Sequence, residues 1–216
     1  MSKKLKNIIK ILFVCSVIMV SANNSKAAES LDLLKNKWSF EGLFGTFDRA
    51  SLRRGYQVYN EVCSSCHSMQ LLSYRNLSEK GGPEFSLEDI KNIAASFEVI
   101  DGPNSEGEMF SRPGRLSDKF VKPYPNIRAA EAANGGAYPP DMSVLAKARK
   151  GGANYIYSIL LGYDDPPEDF KLDDGVYYNK YMSGHNIKMP NALSDGLLDY
   201  ADGTEATVQQ MAKDIA

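Results

Sequence analysis

The feature that most constrains this chain is the pentapeptide Cys63-Ser64-Ser65-Cys66-His67. Two cysteines separated by two residues and followed directly by a histidine form the attachment pattern of c-type haem. In that chemistry both thiols add to the porphyrin vinyl groups, and the adjacent imidazole takes one axial position on the iron. We therefore predict one covalently bound haem c, held by Cys63 and Cys66, with His67 as an axial ligand.

Three other kinds of site use two cysteines at this spacing: a structural disulfide, half of a zinc site and a thioredoxin-like redox pair. A zinc site needs two further ligands, whereas the chain has one other histidine, and Cys15 lies in a segment that we expect to be removed. A redox pair does not need His67, and no predicted strand followed by a helix surrounds the motif. The pattern favours haem attachment over all three.

The residues before the motif have the spacing of a helix. Positions i, i+3 and i+4 of a helix lie on one side, so the two sulfurs and the imidazole can face one flat group. Asp48 and Ser51 are the candidate N-caps. The apolar face that leads into the motif steps by four, three, four and three residues: Leu52, Tyr56, Tyr59, Cys63 and Cys66.

A carrier haem usually has a second axial ligand, and this sequence offers few candidates. His185 and Met189 lie four residues apart in a stretch rich in turn formers. Pro190 pushes Met189 toward an extended conformation and can stiffen the loop that presents its sulfur. We predict Met189 as the second ligand, with His185 as the alternative. Four other methionines are expected to fill gaps in the core: Met109, Met142, Met182 and Met211.

Residues 1–28 have the features of a signal peptide. Lysines come first, an uncharged apolar run extends from Ile11 to Val20, and small residues follow at Ala27 and Ala28. The run is too short to span a bilayer, which takes about 20 residues. We expect residues 29–216 to form a single exported domain.

The exported part is acidic. Removing the signal peptide takes away five lysines, which leaves 20 basic against 27 acidic residues, a formal charge of −7 in place of −2. Such a balance disfavours nucleic acid, which calls for a basic patch, and suits a basic protein partner. The densest acidic stretch is either a solvated loop or a docking patch for a basic carrier. It contains Asp164, Asp165, Glu168, Asp169, Asp173 and Asp174.

The rest of the sequence favours helices separated by irregular connections. Residues 75–140 are dense in turn-forming glycine, proline and asparagine. No run of alternating apolar and polar residues indicates a long strand. We predict a mainly α fold, a cytochrome c-like helical haem domain with long irregular loops and only minor β structure. Helices are expected at 86–97, 127–134, 143–150 and 153–161, and after Thr207 near the C-terminus.

A series of motifs between Trp38 and the C-terminus resembles the cytochrome c1 family. Several motifs in the family's order are far more specific than the haem motif alone. The series comprises Trp38-Ser39-Phe40-Glu41-Gly42, Leu52-Arg53-Arg54-Gly55-Tyr56, Tyr74-Arg75-Asn76-Leu77, Asp101-Gly102-Pro103-Asn104, Tyr138-Pro139-Pro140-Asp141-Met142 and Asp202-Gly203-Thr204.

The resemblance implies the haem c subunit of the quinol:cytochrome c oxidoreductase (complex III), a redox subunit that is not an enzyme by itself. The implied partners are cytochrome b, the Rieske iron–sulfur subunit as electron donor and a basic cytochrome c as acceptor. The family's axial methionine falls on Met189. The implied location is the periplasmic face of the bacterial inner membrane, or the intermembrane-space side in mitochondria. Two alternatives stay open: a soluble periplasmic haem c carrier, and a haem sensor or enzyme with a labile sixth ligand.

The sequence departs from the family pattern in two places. Family members commonly carry an arginine toward a haem propionate where this chain has Glu131, so Arg128, one helical turn earlier, is the expected substitute. Asn191-Ala192 stand where the family often has more prolines, which predicts a looser ligand loop. Family members also have a C-terminal transmembrane helix that the printed sequence lacks. We expect membrane association through the complex or through such a helix.

Overall fold

Helix α1, Arg49–Glu61, leads into the cysteine motif. The computed structural model describes residues 31–216, and α1 is the longest helix in that part of the chain. Its N-cap is Asp48, whose carboxylate accepts a hydrogen bond from the Ser51 amide at 2.9 Å. The helix buries Tyr59, which lies on the predicted apolar face, and also Gly55 and Val58, which lie outside it.

Five shorter helices follow α1 in the described residues. Ser86 and Thr207 begin two of them as side-chain caps, as the sequence predicts. The predicted helix at 143–150 is shorter than expected, because Arg149 takes an extended conformation and ends it. The helices are α2 Leu87–Ala95, α3 Ile127–Ala133, α4 Leu145–Ala148, α5 Ala153–Leu161 and α6 Val208–Ile215.

The β structure of the described residues consists of two small antiparallel pairs. Strand β1, Glu98–Asp101, pairs with β2, Phe110–Pro113. Strand β3, Tyr177–Tyr178, pairs with β4, Asn186–Ile187. The fold is therefore mainly α with long irregular loops, and the predicted fold class is confirmed.

Helices α1 and α6 cross in contact at Gly55. A Cβ atom on this glycine would lie 2.1 Å from the backbone oxygen of Asp214. That distance is shorter than any real contact, so only glycine allows the two backbones to approach this closely. Beside the crossing, α6 buries Met211 and Ala212 in the same cluster as Val58 of α1.

A buried ion pair fixes the crossing. The Arg54 guanidinium donates to both carboxylate oxygens of Asp214, at 2.7 and 3.0 Å. The Asp214 side chain has no exposed surface, and it also accepts hydrogen bonds from the Ser51 hydroxyl and the Gln210 amide. A buried carboxylate is tolerated only when its charge and its lone pairs are compensated in this way.

Cys63 lies where the two apolar clusters of the core meet. The first cluster includes Val58, Tyr157 and Met211. The second is built around the rings that include Tyr74, together with buried aliphatic residues of α2. Cys63 packs against both clusters, so the position of the first cysteine depends on the whole core.

Two features of the sequence bear on the membrane. The predicted signal peptide, residues 1–28, lies outside the described residues and stays a prediction. Within residues 31–216, no helix has the length and apolar character needed to cross a bilayer.

Replacing Asp214 with asparagine should destabilise the fold by about 3 kcal/mol, because the largely buried Arg54 charge would face a neutral amide. Asp202→Asn is the matched control, since Asp202 bonds to the same guanidinium but its side chain is 42% exposed. The Asp202→Asn substitution should lower the free energy of unfolding by less than about 1 kcal/mol. Urea unfolding followed by circular dichroism measures both changes, and equal losses would contradict the role given to the buried pair.

Candidate haem site

The helix tightens before it reaches the histidine of the motif. Helix α1 ends at Glu61, and residues Cys63–Ser65 form a 3-10 turn. The helix that leads into the motif is confirmed, but the motif itself departs from α-helical geometry, because the Cys66 amide bonds to a carbonyl three residues back. The amides of Cys66 and His67 both donate to the Cys63 carbonyl, at 3.1 and 2.8 Å. One turn of chain thus still separates the first cysteine from the histidine.

Burial keeps the thiol of Cys63 neutral. Both cysteines of the motif are free and half-buried. Burial, with a smaller contribution from the neighbouring Cys66, raises the pKa of Cys63 to about 12. A redox-active cysteine needs an accessible thiolate near neutral pH, which Cys63 does not offer. Within the described residues, moreover, no three His, Cys, Asp or Glu side chains form a group that could hold a metal ion.

His67 is held in one orientation by a backbone carbonyl. Its Nδ1 lies 2.8 Å from the carbonyl oxygen of Pro140. Because a carbonyl can only accept, Nδ1 carries the proton and Nε2 keeps its lone pair. This hydrogen bond fixes the tautomer in which Nε2 can bind iron, as outer hydrogen bonds commonly do for metal-binding histidines.

Asp141 clamps the segment that contains Pro140 to the segment that follows His67. Its carboxylate accepts hydrogen bonds from the Ser68 hydroxyl and the Gln70 amide, both at 2.8 Å, and from the Ser143 amide at 2.9 Å. Partial burial opposes ionisation of Asp141, but these hydrogen bonds outweigh it and lower its pKa. The carbonyl that orients His67 is therefore next to a firmly bound residue.

A cavity of about 280 Å³ opens beside the motif, with Cys66 in its wall. Most of the wall comes from the segment that leads into α3, from Ile127 and Ala130 of α3 and from the residues just before Pro140. Lys122 is the single charged side chain among the described residues that line it. The wall consists of Cys66, Ser68, Gln70, Lys122, Pro123, Tyr124, Asn126, Ile127, Ala130, Tyr138 and Pro139.

Residues 38–216 match the profile of the Cytochrome C1 family. The chain belongs to the cytochrome c1 family. It is similar to the mitochondrial heme protein cytochrome c1-2 of Solanum tuberosum, with 50% identity over 90% of this chain and 74% of the relative. Cytochrome c1 of Rhodospirillum rubrum is 44% identical over 94% of this chain and 80% of the relative.

The match covers a smaller part of some relatives. The mitochondrial cytochrome c1 of Saccharomyces cerevisiae is 50% identical over 82% of this chain, which corresponds to 57% of the relative. The chain likewise spans 60 to 62% of three plant relatives. The prediction of the family from the order of its motifs is confirmed.

Met189 of this cytochrome c1-family chain lies, half-buried, just after β4. Its carbonyl accepts a hydrogen bond from the Tyr163 hydroxyl at 2.9 Å. The ammonium of the preceding Lys188 donates to the Gly135 carbonyl at 2.9 Å. Gly135 is five residues before Pro140, the partner of His67. The loop of Met189 and the ring of His67 thus contact the same short stretch of chain.

His185, the alternative ligand, is part of an aromatic cluster. Its ring centroid lies 5.7 Å from that of Tyr178 and 6.5 Å from that of Phe170. Its Nδ1 is buried and has no hydrogen-bond partner in the described part of the chain. Neither His185 nor Met189 is among the residues that line the cavity next to Cys66.

Three of the other methionines have the expected packing role, and one does not. Met211 is fully buried, Met142 packs against the second cluster and the Met182 sulfur accepts a hydrogen bond from Tyr155 at 3.7 Å. Met109 is 60% exposed next to the β1–β2 pair. Its prediction as core filler is therefore wrong, because the hairpin projects it into solvent.

The candidate propionate partner Arg128 lies exposed on α3, and Glu131 is half-buried one turn later. Neither residue lines the cavity, whereas Lys122 does. Sequence reasoning missed Lys122, as it missed Pro140, Asp141 and Tyr163. The motif Tyr138-Pro139-Pro140-Asp141 was visible in the sequence, but it does not indicate which of its atoms meets His67.

Asp141→Asn should reduce stability at neutral pH by about 1–2 kcal/mol, because it weakens three charge-assisted hydrogen bonds. Since the pKa of Asp141 is lowered in the folded chain, its stabilising contribution is present above the pKa of the unfolded chain, near 4. The contribution disappears as pH falls through the folded value. Unfolding free energies measured from pH 7 to pH 2 should therefore converge for wild type and variant at the acid end.

The exposed Asp165→Asn variant is the control for this titration. Its free energy of unfolding at neutral pH should stay within about 0.5 kcal/mol of wild type, because its carboxylate accepts no hydrogen bond from a described residue. A constant difference between wild type and Asp141→Asn across the whole pH range would show that the clamp does not depend on the charge of Asp141.

Proposed function

We propose that this cytochrome c1-family chain is the haem-bearing electron carrier of a quinol:cytochrome c oxidoreductase. It binds one haem c through thioether bonds at Cys63 and Cys66, with His67 and Met189 as axial ligands. It receives electrons from the Rieske iron–sulfur subunit, next to cytochrome b, and passes them to a basic cytochrome c. The observation that carries the proposal is the His67–Pro140 hydrogen bond beside two unpaired thiols and a cavity, in a member of this family.

The residues present fit a haem. One of the two thiols forms part of the cavity wall, and the wall is otherwise rich in aromatic, proline and aliphatic side chains that suit a flat apolar ring. His67 offers a neutral imidazole with a free Nε2, the form that binds iron. Lys122 supplies a positive charge for the acidic substituents of the ring. When bound, the haem supplies a one-electron iron couple.

Each protein group has a separate task in this proposal. Cys63 and Cys66 fix the cofactor to the end of α1, whose position is set by the core. The Pro140 carbonyl holds the His67 tautomer and makes the imidazole a stronger donor to iron. A methionine as the second ligand favours a higher reduction potential than a second histidine would.

The location follows from the same proposal. Residues 1–28 direct export, and residues 29–216 act on the periplasmic face of the bacterial inner membrane or on the equivalent mitochondrial side. The names of the relatives include both mitochondrial and bacterial cytochromes c1. Association with the membrane would come from the other subunits or from an anchor outside the sequence described.

Met189→Leu should abolish the charge-transfer band between methionine sulfur and ferric iron and lower the reduction potential, because the thioether ligand is lost. His185→Gln tests the alternative ligand, and Met109→Leu is the control, since Met109 is exposed and remote from the motif in sequence. Visible spectra and redox titrations of the three variants decide between them. Absence of the band in wild type, together with a changed visible spectrum in His185→Gln and an unchanged one in Met189→Leu, would refute the assignment.

The acidic stretch around Pro166-Pro167 is proposed as the docking surface for the basic cytochrome c. Asp164 forms an ion pair with Lys180, which lowers its pKa and neutralises its charge locally. Asp165, Glu168 and Asp169 are exposed and form no ion pair with any described residue. These three carboxylates, together with the exposed Asp173 and Asp174, supply the field that a basic partner would meet.

Neutralising Asp165, Glu168 and Asp169 together should flatten the salt dependence of electron transfer to a basic cytochrome c, because long-range attraction is screened by salt. Neutralising Asp32, Glu88 and Glu205, three exposed acids elsewhere, changes the net charge equally and is the control. Stopped-flow rates over a range of ionic strengths give the slopes. Identical slopes for both triple variants would mean that the stretch is only a solvated loop.

A further inference from the structure

Tyr163 follows the end of α5, and its hydroxyl donates a hydrogen bond to the Met189 carbonyl at 2.9 Å. We propose that Tyr163 is a positioning residue that acts through this bond to hold Met189 in the orientation that binds iron. The inference rests on the proposed function, because it needs Met189 as the sixth ligand.

Tyr163 is itself firmly placed. Its backbone pairs with that of Asn179 in an isolated antiparallel bridge. Asn179 has no exposed surface, and its side-chain amide donates to the Ile159 carbonyl at 2.8 Å near the end of α5. The Asn179 backbone amide also donates to the His185 carbonyl at 3.0 Å. The ligand loop is therefore hydrogen-bonded near the end of α5 at two places, at His185 through Asn179 and at Met189 through Tyr163.

The carbonyl of Met189 influences the side chain through the backbone conformation of this residue. Pro190 has no N–H and restricts the residue before it to extended conformations. Within that range, holding the Met189 carbonyl fixes the ψ torsion of Met189 and so holds in place the backbone from which its side chain extends. Among the described residues, Tyr163 is the one hydrogen-bond donor to this oxygen.

The second hydrogen bond that holds the Met189 loop, from Lys188 to Gly135, is weaker. The Lys188 side chain reaches the Gly135 carbonyl, but Lys188 is exposed. Exposed contacts of long lysine side chains lose much of their energy to side-chain entropy and solvent. Tyr163 is half-buried, so its hydrogen bond competes less with water. We therefore assign the positioning of Met189 to Tyr163 and not to Lys188.

Tyr163→Phe in the full chain, matured with covalent haem, tests the proposal. Imidazole competes with the methionine for ferric iron. Its apparent association constant is therefore higher when the sulfur is held less firmly. Losing one hydrogen bond should raise that constant by about two- to tenfold, while the methionine–iron band persists without imidazole. Tyr177→Phe is the matched control, because Tyr177 and Tyr163 line one cavity beside the acidic stretch and the Tyr177 hydroxyl bonds to no described residue.

An unchanged imidazole constant in Tyr163→Phe would overturn the proposal, and so would an equal rise in Tyr177→Phe. A lower thermal midpoint with an unchanged constant would mean that Tyr163 only stabilises the fold, which also overturns it. If Tyr163→Phe fails to mature, 3-fluorotyrosine at position 163 replaces it, because its hydroxyl is a stronger donor. Weaker imidazole binding would then support the proposal, and equal or tighter binding would contradict it.

Met189→Leu separates this inference from the proposed function. If Met189→Leu leaves the ferric spectrum unchanged, the ligand assignment fails and the role of Tyr163 fails with it. If Met189→Leu loses the band while Tyr163→Phe binds imidazole like wild type, the ligand assignment stands and only the positioning role is refuted.

Discussion

The close crossing of α1 and α6 at Gly55 is the constraint on which the rest of this structure depends. A side chain at Gly55 would collide with the Asp214 carbonyl, and the buried Arg54–Asp214 pair sits directly beside that contact. Because α1 is held along its length, the chain that leaves its C-terminal end has one defined direction. The first cysteine then meets both clusters of the core within two residues of the helix end. A rigid helix is thereby converted into a fixed attachment point.

The two proposed axial ligands are held in the same manner, through backbone carbonyls. On one side the Pro140 carbonyl accepts from His67, and Asp141 clamps its segment in place. On the other side the Met189 carbonyl accepts from Tyr163. Carbonyl contacts leave the imidazole Nε2 and the thioether sulfur free of hydrogen bonds to the described residues. The protein can therefore orient both groups without competing for the atoms that would bind iron.

The local features could be predicted from the sequence itself. Contacts between residues far apart in the chain could not, except where the family resemblance implied them. Asp48, Ser86 and Thr207 cap helices where short-range patterns indicate, because capping involves neighbours three residues apart. The His67–Pro140 contact joins residues 73 apart, and its acceptor is a backbone oxygen that any residue carries. No residue type marks such an acceptor. The 3-10 turn at the cysteines was missed for a related reason, since its spacing nearly coincides with that of an α-helix.

The positive charge that faces the cavity belongs to Lys122, whereas the family pattern indicates a residue on α3. Helix α3 carries Glu131 at the position of the usual arginine, and neither Glu131 nor Arg128 reaches the cavity wall. Lys122, in the segment before α3, does reach it. An acidic group in a partly enclosed site needs a nearby positive charge, but the charge can come from any element that borders the site. In the proposed haem site, Lys122 would supply from the loop the positive charge expected of Arg128, and Glu131 lies outside the cavity wall.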